Sequence, residues 1–170
     1  INYPHPLLRR GLVVLDTPGL NAIGAEPELT LSLLPAAHAV VFILGADTGV
    51  TKSDLAVWRD HLSSPALTRL VALNKVDTLA DPLLTRRAVE MQVRSQCQST
   101  ATQLGIDVSQ VFPVSARLAL TGRIEGRSEL VTASRLFDLE QALGSELLPQ
   151  RHERLGQSCE VVVQAVERAA

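Results

Sequence analysis

Three short polar clusters carry the residue types that could do chemistry, and each closes an apolar run. Asp16-Thr17-Pro18-Gly19 follows Leu12-Val13-Val14-Leu15. An aspartate at a strand tip can hold Mg²⁺ through water, because Mg²⁺ keeps several waters and uses few carboxylates. A glycine three residues later lets backbone N–H groups approach a terminal phosphate. Asn74-Lys75-Val76-Asp77 follows Leu70-Val71-Ala72-Leu73. A carboxylate such as Asp77 can accept two hydrogen bonds from the N1–H and exocyclic amine of guanine. Adenine offers no such donor pair, so a site of this kind discriminates by orders of magnitude. The Lys75 stem can lie along a base face, and Asn74 can tie neighbouring loops together. Ser115-Ala116-Arg117 follows Val111-Phe112-Pro113-Val114. Its small residues would let a backbone N–H reach guanine O6, with Ser115 bracing the Asp77 loop.

These clusters need strand ends to present them. The four apolar runs, counting Ala39 to Leu44, suit strands buried on both faces, as in parallel sheets. Helical stretches lie between them. Thr51 with Asp54 three residues on approaches a capping box, and Leu55, Trp58 and Leu62 share one helix face. Asp81-Pro82 reads as the next helix start, with Leu84, Ala88, Met91, Cys97, Ala101 and Leu104 facing inward and Gly105 as the stop. Residues 28–38 are helical by composition, interrupted by Pro35. Residues 117–133 read as a loop or insertion, and helical periodicity resumes at Leu136. Leu155, Cys159, Val162 and Val166 make a last helical stripe. The alternation predicts an open α/β sheet with helices on both sides, its ligand beyond the carboxyl ends of the strands.

Composition narrows the alternatives. With 170 residues, 46% hydrophobic and 20% charged, the chain is long enough for a sizeable core without disulfide or metal staples. A net charge of −2 supplies no global field toward nucleic acid or anionic lipid. Aromatics are 3%, too few for base-stacking platforms. No apolar run approaches a membrane-spanning length. His5, His38, His61 and His152 lack metal-ligand spacing. Arg9-Arg10 and Arg86-Arg87 read as solvated faces, and Cys97 and Cys159 as packing residues on apolar stripes.

Taken together, the three clusters resemble the motifs of the P-loop GTPases: Asp16–Gly19 their magnesium and γ-phosphate motif, Asn74–Asp77 their guanine-specificity motif, and Ser115–Arg117 their last base-contact motif. The stretches Leu12 to Asn21 and Gly49 to Asp54 resemble dynamin-family proteins, bacterial dynamin-like ones in particular. The resemblance covers residues 7–120 well. It implies a three-layer, mainly parallel sheet, GTP as substrate hydrolysed to GDP and phosphate, and Mg²⁺ as the cation, held through water by Asp16. The implied catalytic residues are Asp16, Thr17 and Gly19. The implied base contacts are Asn74, Lys75, Asp77, Ser115, Ala116 and Arg117. It further implies a homodimer across the nucleotide face, membrane remodelling with peripheral membrane contact, a cytoplasmic location at the inner membrane face, and no nucleic-acid partner.

Two departures qualify the resemblance. Leu20 stands where many GTPases carry a water-orienting glutamine. No G-x-x-x-x-G-K-[ST] phosphate loop occurs: the two lysines are Lys52 and Lys75, and neither has the required glycine spacing. Residues 1–148 are therefore expected to be a GTPase domain without its phosphate loop, and 149–170 the start of a helical extension. On that expectation the 170-residue chain binds GTP weakly, and its sheet exposes an unpaired edge. A translation- or ribosome-assembly-type GTPase shares these motifs, and a non-catalytic scaffold is the third reading.

Overall fold

The computed structural model describes residues 4–17, 34, 37–64 and 67–147. The expected helices in 28–38 and 150–170, together with Gly19 and Cys159, fall wholly or largely outside these residues. Two compact units divide the chain. One comprises residues 1–16 and 140–170, the other 17–139.

Among the described residues, the larger unit is a mixed α/β fold built on three strands, β1 (Ala39–Gly45), β2 (Thr68–Asn74) and β3 (Val111–Pro113). All pairings are parallel and the spatial order is β1-β2-β3, with β2 central. Helix α2 (Lys52–His61) connects β1 to β2, and α3 (Arg86–Leu104) lies between β2 and β3. Parallel neighbours require such crossovers. Alternation along the strands sends Leu44, Val71, Leu73 and Val111 to one face. There they pack with Trp58 and Leu62 of α2 and with Val93, Cys97, Ala101 and Leu104 of α3. Leu70 and Ala72 point to the opposite face and are also buried, as expected of a strand covered on both sides.

Trp58 sets the position of α2. Its Nε1–H donates to the Leu104 carbonyl at the end of α3 (3.0 Å). Its ring lies 5.5 Å from Phe42 of β1, and the Arg69 guanidinium sits 5.1 Å from the ring centroid on the β2 side. The capping box of α2 is complete: the Asp54 N–H donates to Thr51 Oγ1 and the Thr51 N–H to Asp54 Oδ2.

Three expectations are corrected. Leu12–Leu15 is not a strand: residues 12–17 carry no regular structure, and Val13, Val14 and Leu15 are 75%, 70% and 62% exposed. A strand needs a neighbour for its N–H and C=O groups, and among the described residues no strand pairs with this run. Helix α3 begins at Arg86 with Thr85 as its cap. The Asp81 carboxylate instead closes a separate turn by accepting from the Leu83 N–H. Leu84 and Met91 are consequently exposed, and Val93 and Thr100 join Cys97, Ala101 and Leu104 inside. The stop at Gly105 is where expected. Finally, 117–133 is a helical hairpin, α4 (Ala116–Glu125) and α5 (Ser128–Ala133). Gly122 marks a close approach there, since a Cβ would fall 2.9 Å from the Arg127 carbonyl oxygen, the Val131 nitrogen and a Val131 methyl.

Helix α6 (Leu136–Ala142) follows and continues into a π-helical turn, Leu143–Leu147. In the smaller unit, α1 (Pro6–Arg9) is a single turn capped by His5, whose Nδ1 accepts from the Leu7 N–H. His5 Nε2 lies 3.5 Å from Glu140 Oε1, and Leu7 packs beside Gly144.

Gly122→Ala is expected to destabilise the larger unit by about 1–3 kcal/mol, because two of the three clashes are with backbone that cannot swing away. Urea denaturation of the variant against the wild type measures this.

Candidate functional site

The ends of β1, β2 and β3 lie at one edge of the sheet, and loops there are joined by side chains rather than by strand pairing. Asn74, the last residue of β2, is the junction. Its Oδ1 accepts from the Lys75 N–H (2.8 Å) and from the Ala116 N–H in the first turn of α4 (3.0 Å). Backbone bonds reinforce the edge: Ala46 N–H to the Asn74 carbonyl, Val114 N–H to the Leu73 carbonyl, and Val76 N–H to the Val114 carbonyl.

Lys75 adopts the left-handed conformation (φ 66°, ψ 26°) and leads into a short 3₁₀ turn, Val76–Leu79. Such a backbone is uncommon for a residue with a side chain and concentrates at functional loops. The turn is closed by Thr78, whose Oγ1 donates to the Lys75 carbonyl (2.7 Å). Lys75 Nζ reaches Asp47 Oδ2, 3.0 Å away in the loop after β1. The Lys75 ammonium holds the Asp47 carboxyl below its usual range, against a smaller opposing effect of burial. Asp47 folds back over the end of its own strand: a Cβ on Gly45 would lie 2.4 Å from Asp47 Oδ1. A side chain there would displace the Asp47 carboxylate from its present position.

Asp77 is the most enclosed acid of the edge, its side chain 9% exposed. Oδ1 accepts from Ser115 Oγ (2.5 Å). Oδ2 receives Arg117 Nε (2.9 Å) and Nη2 (2.8 Å). Burial pushes its pKa up, but the bonds from Ser115 and Arg117 outweigh burial, and the carboxyl is held below the ordinary aspartate value. Ser115 is fully buried. Besides bracing Asp77, its Oγ accepts from the Leu118 N–H and so caps α4 (3.1 Å), and its own N–H donates to the Ser134 carbonyl after α5.

The structure therefore brings together six of the residues singled out in the sequence: Asn74, Lys75, Asp77, Ser115, Ala116 and Arg117. Two details differ from expectation. The Ala116 N–H is engaged by Asn74 Oδ1 rather than turned toward a ligand. Arg117 binds the very carboxylate expected to read the base. Asp47 was missed, since an Asp-Thr pair after a strand has no distinctive spacing; only the Lys75 contact reveals it. Ser134 was missed for the same reason.

Asp16 and Thr17 are exposed and lie in a stretch without regular structure. Asp16 belongs to the smaller unit and the Asn74 cluster to the larger one. Among the described residues no group of three or more His, Cys, Asp or Glu side chains could hold a metal ion. A lone carboxylate is nonetheless compatible with Mg²⁺, which is bound through few protein ligands and several waters. No helix among the described residues is long and apolar enough to cross a membrane. Cys97 is buried in the core, which pushes its thiol pKa up and leaves it unreactive.

No protein-family model matches the chain. Among curated proteins, it is 29% identical over 149 residues to the bacterial dynamin-like protein of Nostoc punctiforme, covering 86% of this chain and 20% of that protein. It is 32% identical over 136 residues to the probable transmembrane GTPase FZO-like, chloroplastic, of Arabidopsis thaliana, covering 76% of this chain and 14% of that protein. The chain thus spans a fifth or less of the length of these two relatives. Among solved structures, Era in complex with MgGDPNP and a segment of 16S ribosomal RNA aligns with a TM-score of 0.44 and 18% identity, over 65% of this chain and 37% of that one.

The Asp77 carboxylate supplies stability through its bonds to Ser115 and Arg117. Its folded pKa is depressed, so that contribution is complete above the unfolded value of about 4 and is lost as the pH falls through the folded value. Ser115→Ala should cost about 1–3 kcal/mol near neutrality. The difference from wild type should narrow below about pH 4, leaving the helix-cap contribution. Chemical denaturation across a pH series reads both quantities. In sequence the chain is thus similar to part of a bacterial dynamin-like protein and to part of a probable transmembrane GTPase.

Proposed function

We propose that this chain carries the guanine-recognition part of a dynamin-like GTPase, which binds GTP and hydrolyses it to GDP and phosphate. The observation that carries the reading is the Asn74–Asp77 and Ser115–Arg117 cluster at the carboxyl edge of a parallel sheet. Asn74 ties the two loops into one unit, and Ser115 presents the ionised Asp77 carboxylate. A planar carboxylate held in this way matches the two-donor edge of guanine and leaves adenine with no counterpart. Lys75, pinned through Asp47, would lie along the base.

Asp16 would hold Mg²⁺ through water, and Thr17 and Gly19 would approach the terminal phosphate. Bound Mg²⁺ would neutralise charge that develops on the phosphates during transfer. The names of the two curated relatives, a dynamin-like protein and a probable transmembrane GTPase, support a GTPase that works at a membrane; membrane remodelling by a homodimer on the cytoplasmic side is the use this proposal assigns to the hydrolysis. Sedimentation of the full-length protein with liposomes rather than ribosomes separates this reading from a ribosome-assembly role.

The decisive test is Asp77→Asn in the full-length protein. The amide can donate where the carboxylate accepts, so it should reverse the preference between GTP and xanthosine triphosphate by at least ~100-fold. A gain of xanthosine triphosphate binding cannot come from a misfolded protein. Unchanged preference for GTP overturns base recognition by Asp77.

A further inference from the structure

The Asp77 carboxylate already has an occupant. Arg117 donates its Nε–H to Asp77 Oδ2 (2.9 Å), and Nη2 of the same planar guanidinium makes an ion-pair contact with that oxygen at 2.8 Å. Guanine would offer the same carboxylate two N–H groups from one planar edge. The other oxygen, Oδ1, accepts from the buried Ser115 hydroxyl. Both carboxylate oxygens are thus engaged, and of the two partners only Arg117 is exposed enough to give way to a ligand. The exposures agree: the Asp77 side chain is 9% exposed, that of Arg117 71%. The acid sits at the base of the site and the cation lies over it in solvent. Lys75, the other cation of the edge, is held by Asp47.

We propose that Arg117 is a built-in competitor for guanine: it closes the base-recognition carboxylate when no nucleotide is bound and must swing aside for the base to enter. This rests on the guanine reading of Asp77 given above. The physics is a conformational pre-equilibrium. Apparent affinity is the intrinsic affinity multiplied by the fraction of molecules with Asp77 open, so the latch sets how tightly guanine nucleotides bind without touching the bound base. Arg117 lies on the first turn of α4, so its side chain can leave by rotamer change while Ser115, Ala116 and the Asn74 bridge stay in place. A guanidinium suits the role better than an ammonium, since its fixed planar fork matches a carboxylate.

The test is equilibrium binding of GDP, with ADP as control, to the full-length protein in wild-type, Arg117→Ala and Arg117→Lys forms. Arg117→Ala is expected to bind GDP about 3–10-fold more tightly, the range for a largely solvent-exposed ion pair with a partly desolvated acceptor. Arg117→Lys should fall between, because it keeps the charge and loses the fork. The advantage of Arg117→Ala should shrink as salt rises from ~50 to ~500 mM, since the latch is a screened ion pair. Equal or weaker GDP binding by Arg117→Ala, with ADP still rejected, overturns the latch and leaves the guanine reading standing. GDP and ADP bound alike by wild type and variant overturns the guanine reading, and the latch with it.

Discussion

A single oxygen, Asn74 Oδ1, accepts the N–H of Lys75 and the N–H of Ala116, and the edge of the sheet is organised around it. β2 is the middle strand, so its end is the one position from which both flanking loops are within reach. Lys75 extends to the loop after β1 and Asp77 to the start of α4 after β3. Loops hold few backbone pairings of their own. An asparagine at that point gives two loop N–H groups one shared acceptor and fixes the spacing between two loops.

The helical hairpin behind β3 completes the arrangement. Ser115 caps α4, braces Asp77 and donates its N–H to the Ser134 carbonyl. Close packing at Gly122 keeps α5 against α4, so the Ser134 carbonyl stays where Ser115 needs it. A second polar link lies nearby: Arg135, in a left-handed backbone conformation, pairs with Glu90 of α3. The Arg135 bond holds the Glu90 carboxyl below its usual range. The hairpin is therefore part of the support of this edge.

Charge is distributed to match. Two ion pairs span loops at this edge, Lys75 with Asp47 and Arg117 with Asp77. Exposed pairs of this kind contribute little to stability. Their consequence is electrostatic selectivity of state: both carboxylates remain ionised, and both cations are held near the edge instead of ranging through solvent.

Much of the architecture is written in local signals. Three strands, the capping box at Thr51 and Asp54, the stop at Gly105 and the six residues gathered at the sheet edge were legible because apolar runs, caps and strand-end motifs act over a few residues. The helix start at Thr85 was masked by a stronger-looking Asp-Pro signal. The hairpin at 116–133 was masked by Gly122, which reads as a turn until the neighbouring helix is placed against it. Tertiary structure alone decided the rest. Leu12–Leu15 has the composition of a strand, but pairing is a property of two segments, and no described strand takes its hydrogen bonds. The partners of Lys75 and Asp77 lie 28 and 40 positions away in the chain, at Asp47 and Arg117. Coulomb attraction and hydrogen bonding act through space, so which cation meets which carboxylate was settled only when the sheet set its strand ends side by side.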